Sequence, residues 1–141
     1  MGVYFNPSNA SFTQARNSKI YIDKTGLLKF LNNRLSTEDN CIALSHARRF
    51  GKSHAAGMID AYYSRGCDSS NLFDDTKIAD SADYQKYKNQ YNVIHLDISS
   101  VWDFHKEDLI ESITERVCKD FRKEHGDSLD YTSDLYLLIQ E

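Results

Sequence analysis

The order of hydrophobic and polar residues predicts short strands alternating with amphipathic helices. Three stretches are rich in β-branched, aromatic or other apolar residues, which is typical of short buried strands. These predicted strands cover residues 19–23, 41–44 and 91–98. Three further stretches place apolar residues three or four positions apart, which is typical of helices that bury one face. These predicted helices cover residues 24–35, 52–65 and 108–124.

Strands that alternate with helices favour a domain in which helices cover a mostly parallel sheet. We therefore expect residues 1–141 to form one α/β layered domain. Gly66 and Gly126 follow two of the predicted helices and are expected to end them. Residues 67–90 are polar, so we expect a loop with short helical turns there. A last apolar run, residues 135–139, begins a helix for which the sequence shows no end.

The tripeptide Gly51-Lys52-Ser53 lies between a predicted strand and a predicted helix, which is where a phosphate-binding loop occurs. In such a loop, backbone N–H groups of the loop and of the helix start converge on phosphate oxygens, and the helix dipole adds to the attraction. Gly51 lets the backbone approach closely, Lys52 supplies a charge to the β- and γ-phosphates, and the Ser53 hydroxyl ligates Mg²⁺. We therefore expect Lys52 to be catalytic and Ser53 to be the metal ligand. The residues expected to bind the nucleotide are His46, Ala47, Arg48, Arg49, Phe50, Gly51, Lys52, Ser53 and His54.

Several of these residues have a structural interpretation that stays open. The complete loop motif has a glycine where this chain has His46, so Lys52 alternatively begins a surface helix and His46 is alternatively a polar residue at a strand end. Asp97 ends a predicted strand, where it either holds Mg²⁺ through water or serves as a structural carboxylate. Asp23 or Thr25 is expected to cap the helix that follows it.

Composition and charge narrow the classes of partner. Residues 1–66 hold nine Lys and Arg against four Asp and Glu, whereas residues 67–141 hold eight against seventeen. The basic half contains the loop, which suits a polyanionic ligand, and the acidic half disfavours a nucleic-acid surface. No run reaches the roughly 18 apolar residues of a membrane span, and the N-terminus lacks the features of a signal peptide, so we expect a cytoplasmic protein. The cysteines lie too far apart in sequence for a typical zinc motif.

Several short motifs occur in the same order as in the bacterial AAA-ATPase-like family, which the chain resembles from about Phe12 to Glu141. These motifs are Tyr21-Ile22-Asp23-Lys24-Thr25 before a Leu-rich helix, Arg48-Arg49-Phe50-Gly51-Lys52-Ser53, a helix ending in Tyr62-Tyr63, Asn71-Leu72-Phe73, and residues 93–99. Family members usually carry Arg-Pro where this chain has His46-Ala47. This difference removes one cation and a stiff proline but leaves the Gly51-Lys52-Ser53 tripeptide intact.

The resemblance implies a P-loop domain that binds ATP and Mg²⁺. Members typically join this domain to a C-terminal nuclease-like domain of the PD-(D/E)XK type, which is the partner domain expected here. The family's acidic Asp-Glu-Tyr-Asp strand would follow residue 141, so the resemblance implies an incomplete N-terminal fragment and ATP hydrolysis only in the intact protein. It also implies that residues 23–25 pack near the nucleotide.

Two other functions use the same loop. One is a nucleotide-binding switch or interaction module without turnover, and the other is a phosphate-binding transferase. A homo-oligomer is compatible with each of these functions.

Overall fold

The computed structural model describes residues 3–45, 47–102 and 108–126, and it is helical with short extended segments between the helices. The helices in this part of the chain are α1 (Ala10–Arg16), α2 (Gly26–Asn32), α3 (Lys52–Tyr63), α4 (Tyr84–Tyr87), α5 (Ile98–Trp102) and α6 (Leu109–His125).

The main hydrophobic core lies between α1, α2, α3 and α4. Its buried side chains are Phe12, Leu28, Met58, Ala61, Tyr62, Tyr63, Phe73, Ile78 and Tyr84. The rings of Phe12 and Phe73 stack with their centroids 4.8 Å apart, and Tyr62 meets Phe73 edge-on at 5.4 Å. Gly57 lets α1 approach α3, since a Cβ at Gly57 would lie 2.8 Å from the Ser11 Oγ. The core therefore fixes α3, whose first residues form the candidate site.

A buried polar network joins the end of α2 to α3. Asn32 is only 3% exposed, and its amide donates to the Tyr62 hydroxyl at 3.2 Å. The Tyr63 hydroxyl donates to Asn32 Oδ1 at 2.6 Å, and the Tyr62 hydroxyl donates to the Tyr84 carbonyl at 2.9 Å. Burial raises the pKa of Tyr63, so its hydroxyl stays protonated and remains a donor. Asn32, a polar residue at the end of α2, is thus an interior contact.

The prediction of a mostly parallel sheet is wrong for the described residues, which contain two isolated β-bridges and no sheet. The predicted strands at residues 19–23 and 41–44 lie at the surface, with Ile20 84% exposed and Leu44 48% exposed. β-branched residues favour strands only when a neighbouring strand supplies backbone partners and a surface to pack on. In the described part of the chain no segment pairs with either stretch, so neither forms a strand.

The third predicted strand, residues 91–98, is extended in its first part and pairs on two sides. The bridges join Tyr91 to Ser64 in parallel and Ile94 to Phe5 in antiparallel orientation. Beyond them, α5 begins at Ile98, and Asp97 Oδ1 accepts hydrogen bonds from Ser99 N and Oγ at 3.1 and 2.6 Å. The polar turn at Asp97 thus replaces the predicted end of the strand.

Helix α6 holds the N-terminal segment through a buried carboxylate. Asp120 Oδ2 accepts hydrogen bonds from the backbone N–H groups of Val3 and Tyr4 at 2.7 and 2.8 Å. Burial acts to raise the pKa of Asp120, but these N–H donors and the Lys123 ammonium 3.7 Å away outweigh burial and lower it. The carboxylate therefore favours the folded chain at neutral pH.

Helix predictions made from the 3.6-residue period agree with the structure better than the strand predictions do. The helices predicted over residues 24–35, 52–65 and 108–124 correspond to α2, α3 and α6, with differences at their ends. Gly126 follows α6 as predicted, whereas α3 ends before Gly66. Residues 67–90 form turns and the short α4, also as predicted. The helix predicted from residues 135–139 lies outside the described residues.

Candidate functional site

The loop before α3 contains two residues with a left-handed backbone conformation. Gly51 stands at the N-cap of α3 with φ 81°, and Arg49 has φ 69°. Both values lie in the left-handed region, which costs a non-glycine residue about 1–2 kcal/mol. Alternation of left- and right-handed residues turns successive backbone N–H groups toward one point. The Phe50 N–H donates to the Ala47 carbonyl at 3.4 Å, and the loop leads directly into the positive end of a 12-residue helix.

The first turn of α3 exposes the side chains that the sequence assigns to phosphate. Lys52, Ser53 and His54 are exposed at the start of the helix, and Ala55 is buried beneath them. The Ala55 N–H closes the first helical hydrogen bond, donating to the Gly51 carbonyl at 2.9 Å. The N–H groups of Ser53 and His54 lie in this first turn, where the helix supplies no carbonyl four residues earlier. An anion at the helix start would meet these groups.

A cleft of about 640 Å³ lies between this loop, α1 and residues 18–24. One side of the cleft is cationic, since Lys24, Arg48, Arg49 and Lys52 line it. The side formed by α1 and residues 18–24 is largely apolar. Its apolar lining includes Phe12, Ala15, Ile20, Tyr21 and Ile22. The cleft thus offers a charged end and an apolar wall to one ligand.

Lys24 connects the two sides of the cleft. Its ammonium group donates a hydrogen bond to the Phe50 carbonyl at 2.6 Å. A Cβ built on Gly51 would lie 2.8 Å from the same Nζ atom, so glycine makes room for this contact. The loop is therefore held by a lysine from residues 18–24.

Asp23 and Thr25 fix the backbone on either side of Lys24. Asp23 accepts hydrogen bonds from Thr25 N at 2.8 Å and from Lys77 N at 2.9 Å, and the Thr25 hydroxyl accepts one from Ile78 N at 3.2 Å. Burial acts to raise the pKa of Asp23, but the Thr25 and Lys77 donors outweigh it and lower the pKa. Neither side chain caps α2, so the capping prediction is wrong. Both side chains instead tie residues 23–25 to the loop before α4.

The structure brings together the described members of the predicted nucleotide-binding set. Ala47, Arg48, Arg49, Phe50, Gly51, Lys52, Ser53 and His54 all line the cleft. His46 lies outside the described residues, so its predicted role is neither supported nor contradicted. Sequence reasoning from the residues alone missed the Lys24 contact, because helix capping explained residues 23–25 and no local spacing links them to residue 50.

The cleft suits an anion better than a bare metal ion. No carboxylate lines it among the described residues, and no group of three or more His, Cys, Asp or Glu in this part of the chain is placed to hold a metal. Asp97 is not among the lining residues and accepts hydrogen bonds from Ser99, which supports its structural interpretation. A magnesium ion would therefore meet the Ser53 hydroxyl together with phosphate oxygens, which are ligands that Mg²⁺ commonly takes.

A pair formed by an aspartate and a histidine lies away from the cleft. Asp60 of α3 is 7% exposed, and His95 Nδ1 lies 2.5 Å from its Oδ2. Burial raises the pKa of Asp60, and the contact with His95 opposes that rise. The pair joins α3 to residues 91–95 and takes no part in the cleft.

Comparison with known proteins gives one match. A sequence model of the AAA-ATPase-like family, described as Predicted AAA-ATPase, matches residues 9–137. Searches of curated proteins and of solved structures gave no match to this chain. None of the helices in the described ranges combines the length and apolar character that a membrane crossing requires.

Proposed function

The chain belongs to the AAA-ATPase-like family of predicted AAA-ATPases, and on that basis we propose that the cleft binds ATP. The observation that carries the proposal is the loop at residues 47–53, which lies at the N-terminus of α3 and faces a cleft with a cationic side and an apolar wall. Helix N-termini and left-handed loop residues favour phosphate, and the apolar wall suits the base. Family and geometry support the same ligand.

The loop, Lys52, Ser53 and the apolar wall have separate roles in this proposal. The loop N–H groups bind phosphate oxygens, and Lys52 adds a compact positive charge to the terminal phosphates. Ser53 holds Mg²⁺ together with the phosphates that bring the ion into the cleft. Ile20 and Ile22, which are 84% and 71% exposed, lose contact with water when the base lies against them. The apolar wall thus favours a nucleotide over a bare phosphate chain.

Hydrolysis requires more than the described lining residues provide. A carboxylate that completes the magnesium shell and orients the attacking water recurs in P-loop enzymes. The described part of the cleft lining has none. We therefore propose that these residues bind ATP, and that turnover depends on a carboxylate from elsewhere in the intact protein. A binding switch without turnover is the second candidate, and the same lack of a lining carboxylate favours it.

Isothermal titration calorimetry with Mg-ATP tests the proposal. We expect binding by the unmodified chain and a loss of affinity of at least about tenfold in Lys52→Ala, since a charged hydrogen bond contributes about 1.5–3 kcal/mol. Lys29→Ala is the matched control, because Lys29 is an exposed lysine of α2 that does not line the cleft. No heat of binding with the unmodified chain, or equal affinities for all three proteins, would refute the proposal.

Magnesium tripolyphosphate separates the nucleotide from its phosphate chain. If the apolar wall receives the base, tripolyphosphate binds more weakly than ATP. Equal affinities for the two ligands would show that the cleft recognises phosphate alone and would favour the phosphate-binding transferase. An assay of ATP turnover, performed on the intact protein, then distinguishes an ATPase from a binding switch, because a switch binds ATP without releasing phosphate.

A further inference from the structure

We propose that Lys24 is a second phosphate-binding lysine of this cleft, acting beside Lys52 on the same triphosphate. The inference rests on the proposed function and adds a ligand contact from outside the phosphate-binding loop. The starting observation is that the Lys24 ammonium group contacts the carbonyl of Phe50, a residue 26 positions later in the sequence.

The ammonium group of Lys24 lies beside the loop residues that the sequence assigns to phosphate binding. It is 2.6 Å from the Phe50 carbonyl and 2.8 Å from the place where a Cβ of Gly51 would stand. Lys24 and Lys52 also line one recess of about 190 Å³, together with Phe50 and Gly51. Two lysines from separate segments therefore border one recess beside the helix start.

The remaining donors of this ammonium group are suited to phosphate. A lysine ammonium carries three N–H donors, and the Phe50 carbonyl takes one of them. Among the described residues, no carboxylate forms an ion pair with Lys24. The adjacent Asp23 accepts hydrogen bonds from the N–H groups of Thr25 and Lys77. Within the described ranges, the positive charge of Lys24 therefore borders the cleft without an ion-pair partner.

The fold holds Lys24 in place without depending on its side chain. Thr25 is fully buried, and Asp23 and Thr25 anchor the backbone to residues 77 and 78. The Lys24 side chain itself is exposed. Substitution at this position is therefore expected to change the charge at the cleft and to leave the core intact.

Titration of three variants with Mg-ATP tests the inference. We expect Lys24→Met to weaken ATP binding about 10- to 100-fold, which is the usual size of a charged hydrogen-bond loss. Lys24→Arg, which keeps the charge, is expected to retain most of the affinity. Lys29→Met is the control for removal of an exposed lysine nearby on α2, and it is expected to bind as the unmodified chain does.

The salt dependence of Mg-ATP binding separates a phosphate contact from loop support alone, since the hydrogen bond to the Phe50 carbonyl is lost in Lys24→Met in either case. Loss of a phosphate contact makes the affinity of Lys24→Met less sensitive to salt than that of the unmodified chain, whereas loss of loop support alone lowers the affinity and leaves its salt dependence unchanged. Weaker binding with an unchanged salt dependence would therefore overturn the inference.

Unchanged affinity in Lys24→Met would overturn this inference alone. Absence of binding by the unmodified chain would overturn the proposed function, and the inference with it.

Discussion

Replacement of Gly51 by Ala tests the backbone geometry on which the candidate site depends. Gly51 has φ 81°, and an added Cβ would lie 2.8 Å from the Lys24 Nζ. The substitution therefore strains the backbone and displaces the lysine that holds the loop. Both effects act at the N-cap of α3, where the proposed phosphate contacts lie.

The structure gives each effect a magnitude. A left-handed non-glycine residue costs about 1–2 kcal/mol. Displacing Lys24 breaks its hydrogen bond to the Phe50 carbonyl, which contributes about 1 kcal/mol at an exposed position. We therefore expect Gly51→Ala to lower the free energy of unfolding by about 2–3 kcal/mol. In the background of Lys24→Ala the same change is expected to cost about 1 kcal/mol less, because the contact is already absent.

Urea denaturation of the unmodified chain, Gly51→Ala, Lys24→Ala and the double variant measures the cost of Gly51→Ala with and without Lys24. Gly26→Ala is the matched control, since Gly26 begins α2 and no atom lies within 4 Å of its added Cβ. Alanine favours helix over glycine, so Gly26→Ala is expected to be neutral or to stabilise the chain by up to about 1 kcal/mol. If Gly51→Ala unfolds at the same urea concentration as Gly26→Ala, the left-handed loop geometry is refuted.

Three further predictions concern the framework around the site. Asp120→Ala removes a buried acceptor of two N–H groups and should destabilise the chain by about 2–4 kcal/mol at pH 7. The folded-state pKa of Asp120 is lowered, so the stability that its carboxylate adds is present above about pH 4 and is lost as the pH falls. The free energies of unfolding of the unmodified chain and of Asp120→Ala should therefore converge in acid. Asn32→Ala leaves the buried Tyr63 hydroxyl without its acceptor and removes one donor to the Tyr62 hydroxyl, so it should cost about 2–3 kcal/mol. Asn33→Ala, at an exposed position, should change the melting temperature little. Gly57→Ala should destabilise by about 1–3 kcal/mol through a clash that Ser11→Gly relieves, and equal melting temperatures with and without that second change would contradict this.

The sequence predicted the longer helices because their apolar residues repeat over several turns. In α6, Val117 is buried and Ile110 is 80% exposed. The repeat of apolar residues therefore predicts the helix but not which of those residues are buried. Helix α1 escaped prediction because Phe12 is its only buried residue and leaves almost no period to detect. The fold was least predictable where a segment depends on partners far away in the sequence.

The predicted sheet failed for that reason. Residues 19–23 have strand-like composition, yet the apolar side chains of Ile20 and Ile22 face outward while Tyr21 lies by Phe12, with ring centroids 6.2 Å apart. Strand propensity describes the preference of one segment and does not specify which segment lies beside it. Whether another segment supplies the backbone hydrogen bonds of a sheet depends on the fold of the whole chain.

The candidate site was predictable in its loop and not in its surroundings. Residues 47–54 were identified because the Gly-Lys-Ser motif carries its own physical logic at a helix start. The contribution of Lys24 required the structure, because its contact with Phe50 spans 26 residues. A candidate site that lies in one continuous motif can be predicted from sequence, whereas contacts from distant residues cannot.

Hydrogen exchange with and without saturating Mg-ATP shows where on the chain the ligand lies. ATP bound at the loop is expected to slow exchange of the backbone N–H groups in residues 48–55, at the loop and the first turn of α3, and to change exchange in α6 little. Slower exchange confined to other residues, or no change anywhere at saturating ligand, would contradict the claim that this loop binds ATP.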